Sequence, residues 1–472
     1  DTSSVTSLSL TFYGATSFTG DGLSNWNTSR VTSLDGTFSD ATSFTGDGLS
    51  NWNTSRVTNL ISTFQRATSF NGDGVSNWDT SSLTSLEYTF SGATSFTGDG
   101  VSNWDTSSVT NLDATFVDAT SFTGDGVSNW DTSNVTTLEY TFVDATSFTG
   151  DGVSNWNTSS VTSLALTFSG ATSFTGDGVS NWNTSRVTTL FQTFGGATSF
   201  NGDGVSNWDT SSVTTLGGTF SSATSFTGDG VSNWNTSSVT SLFGTFSRAT
   251  SFTGDGVSNW DTSNVVDLEN TFEGATNFTG DGVSNWDTSS VTSLRETFEE
   301  ATSFNGNISN WNVSSVNNFE LSRYTFDGTT SLTNCMKRSI YHSWNTTLDM
   351  DTDYSSWASV SCTYCGANQY VSSNACVACA VGTTNAAGDD ASGSDTTCVA
   401  TLCAEDYYVS NHVCTICPAG TTNAADDDAS GSDTTCNVTY CSIENRTELD
   451  TMIAAYFSNP SASHVCGNIS TW

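Results

Sequence analysis

One tryptophan recurs every 26 residues, at Trp26, Trp52, Trp78, Trp104, Trp130, Trp156, Trp182, Trp208, Trp234, Trp260 and Trp286, with a last step of 25 to Trp311. The unit it times barely changes: ATSFTGDGVSNWDTSSVTSLxxTFxx. A fixed period in this range marks stacked repeats, because one such unit cannot bury its apolar face until neighbours lie against it. Length then measures reach, and function is to be sought in a repeated surface rather than in one pocket.

Within one unit the apolar positions are Val31, Leu34, Phe38, Phe44, Leu49 and Trp52. Leu34, Phe38 and Ala41 stand at i, i+4 and i+7, which predicts a short helical turn. Leu23-Ser24-Asn25-Trp26, held between Gly-Asp-Gly and Asn-Thr-Ser, is too short and glycine-bounded for a helix and predicts a strand. The expected fold is a β-rich solenoid of about 12 parallel coils rising ~4.8 Å each, a rod of roughly 55–60 Å. The residues that differ most between copies, such as Asp35-Gly36, Ser39-Asp40, Ile61-Ser62 and Gln65-Arg66, fall between the core positions. They are expected to point outwards and tolerate change.

The chain carries 48 acidic against 10 basic residues, net −38, which argues against binding nucleic acid or an anionic membrane. A cationic partner or bound metal ions suit it better. Only 12% of residues are charged, but Phe and Trp are plentiful enough to build a core, so disorder is not expected. No apolar stretch of about 18 residues is present, and the closing SHVCGNISTW is no hydrophobic anchor, so membrane insertion is not expected.

The string FNGNISNWNVSSVNNF, from Phe304 to Phe319, and its looser copies FTGDGVSNWDTSSVTSLxxTF resemble the BspA-type leucine-rich repeats of surface proteins, in the variant first catalogued in mycoplasma surface antigens. Most copies add a glycine after the Asp, and Thr-Phe replaces the usual Met-Phe. The resemblance covers about residues 1–333 and implies a parallel solenoid with an extracellular surface or adhesion role; it implies no catalytic residues.

All twelve cysteines follow residue 334. Cys365, Cys376, Cys379, Cys398 and Cys403 recur 38 residues on as Cys403, Cys414, Cys417, Cys436 and Cys441. The C-x10-C-x2-C-x18-C spacing resembles the ephrin-receptor-like and tumour-necrosis-factor-receptor-like modules of extracellular stalks. That resemblance implies pairs Cys365 with Cys376, Cys379 with Cys398, Cys403 with Cys414 and Cys417 with Cys436, leaving Cys335, Cys362, Cys441 and Cys466 for the ends. Zinc is the rival for Cys362, Cys365, Cys376 and Cys379, whose spacing is ribbon-like, but small modules poor in apolar residues point to an oxidising compartment where thiols pair. The expected organisation is a solenoid over 1–333, a capping segment over 334–361, two cysteine-rich modules over 362–441 and a C-terminal segment, 442–472, closed by Cys466.

Three columns are candidate sites. The Asp of Gly-Asp-Gly recurs as Asp21, Asp47, Asp73, Asp99, Asp125, Asp151, Asp177, Asp203, Asp229, Asp255 and Asp281. A row of like charges this close reads either as a solvated turn ladder or as a row of calcium sites. Asn25 and its equivalents read as a buried amide ladder, and the tryptophans as core rather than an exposed strip for sugars. Sequons stand at Asn27, Asn53, Asn134, Asn157, Asn183, Asn235, Asn277, Asn307, Asn312, Asn345, Asn437, Asn445 and Asn468, so attached glycans are expected in a eukaryotic host. His342, His412 and His464 come with no matching nucleophile, and pairs such as Glu299-Glu300 read as solvated charge, so no enzyme is expected.

The chain opens with DTSSVTSL, aligned with Asp79-Thr80-Ser81 in mid-unit, which suggests a processed or truncated end. At the far end Phe319 replaces the leucine and the cysteine-bearing segment follows. Unlike ends favour head-to-tail contact between copies. Together these features point to an extracellular structural glycoprotein, a rod in a surface fibre, coat or stalk, partnered by copies of itself or other surface glycoproteins. An adhesin or glycan-binding module is the alternative, and ice binding by the regular threonines a third.

Overall fold

A computed structural model describes residues 1–316, 324–348, 350, 354–438 and 446–458. Phe319, Cys441, Asn445, His464, Cys466 and Asn468 lie outside the described residues. Two compact units divide the chain, one of Asp1–Leu332 with Ser339–Ala358, the other of Thr333–Arg338 with Ser359 onward.

The first unit is built from turns, not from helices and strands. In the copy beginning at Leu34, Thr37 N–H donates to Leu34 O (3.0 Å), Ser39 N–H to Gly36 O (3.1 Å) and Ala41 N–H to Phe38 O (3.0 Å). The amides between them leave the coil: Gly36 N–H reaches Ile61 O (2.9 Å), Phe38 N–H Thr63 O (2.9 Å) and Asp40 N–H Gln65 O (2.8 Å). An α-helix would send every amide back four residues within its own segment. Here left-handed backbone at Gly36 (φ 56°) and Asp40 (φ 61°) breaks the helix and turns alternate N–H groups towards the next copy. The predicted helical turn is therefore corrected to a staircase of three-residue turns. Leu34, Phe38 and Ala41 still share the inner side, which is why their spacing mimicked a helix.

The predicted strand at Leu23–Trp26 is likewise absent. Leu23–Asn25 forms one turn of 3-10 helix, and in the next copy Trp52 N–H closes a turn on Leu49 O (2.9 Å). Parallel pairing occurs instead as single bridges, Ser7 to Ser33, Ser33 to Asn59 and so on to Asp267 with Ser293. Glycine bounds explain the exchange: Gly22 and Gly48 hold positive φ (88° and 86°), which tightens the segment into a turn.

Inside lies a ladder of aromatic rings. Phe38 stacks on Phe44 of its own copy at 4.0 Å and on Phe64 of the next at 5.8 Å, while Trp52 and Trp78 lie parallel at 6.4 Å. From Trp52 to Trp311 the indoles are 3–5% exposed, and each N–H is satisfied by a carbonyl of the preceding copy, as Trp156 Nε1 by Val127 O at 3.1 Å. Burial of the indoles places them in the core and leaves no aromatic strip in that column for sugars. From Thr37 to Thr297 the threonine before each second Phe is fully buried, and its hydroxyl can sit between two carbonyls, for Thr141 those of Leu138 (2.8 Å) and Leu112 (3.2 Å). A methionine there could satisfy neither. At the far end α1 (Asn334–Trp344) supplies Trp344, which stacks on Trp311 at 6.4 Å, and Tyr354 and Trp357 cover Phe326.

The second unit consists of small antiparallel hairpins. β1 (Gln369–Ser372) pairs with β2 (Ala375–Ala378), and β3 (Thr383–Thr384) with β4 (Val399–Ala400). The pattern repeats as β5 (Tyr407–Ser410) with β6 (Val413–Ile416) and β7 (Thr421–Thr422) with β8 (Asn437–Val438). Each pair of hairpins encloses only a three-residue core, Cys365, Val371 and Ala391 in the first and Cys403, Val409 and Ala429 in the second. Cores this small need covalent closure. Disulfides Cys335–Cys362, Cys365–Cys376, Cys379–Cys398, Cys403–Cys414 and Cys417–Cys436 supply it, and no cysteine is free among the described residues. The last element is α2 (Arg446–Ser458).

Candidate functional site

The Gly-Asp-Gly column is built for close backbone approach. A Cβ on Gly98 would lie 2.0 Å from Asp125 O and 3.2 Å from the Phe122 ring, so only hydrogen fits there. Each Asp between the glycines is exposed and accepts a hydrogen bond from the residue two before it, as Asp125 Oδ2 from Thr123 (2.9 Å) or Asp73 Oδ2 from Asn71 (2.9 Å). Among the described residues no three His, Cys, Asp or Glu side chains are grouped to hold a metal ion.

Asn25, Asn51 and Asn77 are exposed, which corrects the expectation of a buried amide ladder. They stand on the outside of the turn that carries Trp inwards. The sequon asparagines among the described residues are exposed as well, except Asn345, which is half-buried with Oδ1 accepting from Met350 N–H at 3.0 Å. In the Asn27 column the side-chain oxygen caps the second residue after it, as Asn53 Oδ1 does for Ser55 N–H (3.1 Å) and Oγ (2.7 Å). Where Asp takes the position the same serine, by its hydroxyl and then its amide, holds the carboxyl of Asp105, Asp131, Asp209, Asp261 and Asp287 below the ordinary carboxylate range.

Variation between copies gathers in four columns, those of Asp35, Gly36, Ser39 and Asp40, on the turn staircase. The second and fourth are the left-handed positions, so two of the four columns that vary are also places where glycine is easiest. Their chemistry is zoned along the chain. Glu87-Tyr88, Asp113-Ala114 and Glu139-Tyr140 occupy successive copies, then come Ala165-Leu166, Phe191, Gly217-Gly218 and Phe243, then Glu269, Arg295 and Glu296. Ion pairs tie neighbouring copies along these columns: Arg66 to Asp40 at 2.6 Å, Arg248 to Glu273 at 2.9 Å and Arg295 to Glu269 at 3.5 Å.

The acidic zone differs from its neighbours. Tyr88 and Tyr140 are 37% and 42% exposed and adopt left-handed backbone (φ 53° and 57°), on either side of Ala114, which is buried. Asp113 Oδ1 is buried without a hydrogen-bond partner. Burial, then the carboxylates of Glu139 and Glu87, push its pKa up to about 6. Burial and the nearby Asp113 and Glu87 charges also raise the Tyr88 phenol. Sequence reasoning passed over these residues as tolerant outward positions. The signal that could have found them is the recurrence of acid and tyrosine at one register in nearby copies, against mixed residue types at the same register elsewhere.

A family model described as "Mycoplasma protein of unknown function, DUF285" matches residues 1–100, 73–177, 167–256 and 244–361. A search of curated proteins found no match.

Proposed function

The chain belongs to the family described as Mycoplasma protein of unknown function, DUF285, and from that premise we propose that it is an extracellular structural rod, a solenoid of BspA-type repeats that carries disulfide-stapled, receptor-like modules beyond its last coil. The observation that carries the reading is the unbroken run of bonds from one copy to the next, from Ser7–Ser33 to Asp267–Ser293. Such a stack grows in one dimension, and near-identical units suit a role in which rise matters more than any one residue. Five disulfides support an oxidising, extracellular setting. No helix among the described residues is long and apolar enough to cross a membrane.

Electron microscopy of the purified protein beside a variant lacking residues 157–208, two whole units, tests this. The rod is expected to shorten by about 10 Å while the melting transition persists. A compact particle of unchanged length, or a variant that no longer folds, would count against it. A second reading, display of a binding face, is favoured by the confinement of variation to four columns of the turn staircase. Isolated rods that bind a partner, rather than filaments, are the outcome expected from it.

A further inference from the structure

Exposed aromatic rings recur on the variable face in every second copy. Tyr88, Tyr140, Phe191 and Phe243 stand 52, 51 and 52 residues apart and are 37–42% exposed. Among the described residues between Trp52 and Trp311, Val266 is the one other large apolar side chain exposed to this degree. We infer that the stretch from Phe191 to Phe243 binds an extended, uncharged β-1,4-linked polysaccharide, each ring serving as a platform for every second sugar. This rests on the reading of the variable columns as a binding face.

Three observations converge on it. The first is the spacing. Gln192 N–H donates to Gly217 O (2.9 Å) and Gly218 N–H to Phe243 O (2.7 Å), so these positions of successive copies are joined directly. Two such steps of ~4.8 Å set the rings roughly 10 Å apart, and an extended β-1,4-linked chain turns the same sugar face back at every second residue, also on the order of 10 Å. An extended peptide does not fit that interval, since its alternate side chains lie about 7 Å apart.

The second observation is the lie of the ring. A Cβ on Gly217 would stand 3.2 Å from Phe191 Cδ2, so the ring rests over the next copy instead of standing away from it. Gly217 and Gly218 are buried and leave no pocket for an inserted side chain. A flat ring face, negative at its centre, suits the C–H groups on the flat side of a sugar.

The third is charge. From Ala165 to Ser247 none of the four variable columns carries an acid or a base, in a chain of net −38, and Arg248 just beyond is paired with Glu273 at 2.9 Å. A stretch without charge complements a ligand without charge. Its polar group is Gln192, whose side chain lies over Gly218 and whose amide makes no hydrogen bond within the protein among the described residues. That amide offers both a donor and an acceptor to sugar hydroxyls.

The test titrates the full chain with cellohexaose by calorimetry, beside the α-1,4-linked maltohexaose. One variant combines Phe191→Ala and Phe243→Ala, placing there the residue that another copy carries at Ala165. A second, Phe191→Tyr with Phe243→Tyr, keeps the platforms. The control, Thr188→Ser with Thr240→Ser, alters an exposed column of the same copies. Cellohexaose binding is expected to weaken about tenfold or more in the alanine pair and to stay within about twofold in the tyrosine pair and the control. It should not change between low and high salt, because no ion pair forms. No binding by the unaltered chain, equal binding of maltohexaose, marked salt dependence, or equal weakening by the control would overturn the inference. A chain that ignores cellohexaose yet shortens as expected when residues 157–208 are removed overturns this inference alone and leaves the structural reading standing.

Discussion

The tightest constraint on any single residue in the repeats is the first glycine of Gly-Asp-Gly. Gly98 sits at φ 107° with the carbonyl of Asp125 where a Cβ would go. Gly98→Ala therefore combines an unfavourable dihedral with a backbone clash, and a loss on the order of 3 kcal/mol in urea unfolding is expected. Asp113 marks the opposite situation, a residue the fold tolerates at a cost. Its pKa lies near 6 when folded against the ordinary 3.8, so the folded state holds the proton more tightly. The stability contributed is complete below about pH 4 and is lost as pH rises through about 6. Thermal melts of the wild type and Asp113→Asn should diverge across that window, with the wild type falling relative to the variant on going from pH 4 to 7. A constant difference would mean that Asp113 titrates normally.

Among the elements, the indole column and its last rung can be told apart by one hydrogen bond. Trp156 donates to Val127 O, whereas Trp344 on α1 stacks in line with the column but leaves its buried N–H unpaired. Trp156→Phe should therefore cost about 1 kcal/mol more than Trp344→Phe, read from matched urea curves of the two variants. Much of this was legible in the sequence: Val31, Leu34, Phe38, Phe44, Leu49 and Trp52 are all buried, as their periodic recurrence required. The local conformation was not. An i, i+4, i+7 stripe is satisfied equally by a helix and by a turn staircase, and only the positive φ at positions 36 and 40 separates them. Those positions accept Leu10, Tyr88 and Gln192 as readily as glycine, so no residue type announced the turn. Asn25 was misjudged for a related reason, since recurrence in every copy fits an exposed turn as well as a buried ladder.

Across the whole molecule, the acidic excess has been distributed rather than neutralised. Carboxylates of the Gly-Asp-Gly column, such as Asp125, are exposed and held by their own threonines. The aspartates that alternate with asparagine after each tryptophan, such as Asp105, are held by their serines, and arginines on the staircase such as Arg66 and Arg248 pair with acids one copy away. The bonds between copies have a mechanical consequence. Among the described residues alternate amides of each staircase grip the adjoining copy, so in the proposed solenoid tension applied along the chain meets the same copy-to-copy contacts at every step. Coils would peel away singly from one end, each releasing 26 residues, about 90 Å of slack, at a similar force. A rod of the proposed kind would absorb a pull by lengthening in equal steps, and would rewind against the coil that remains.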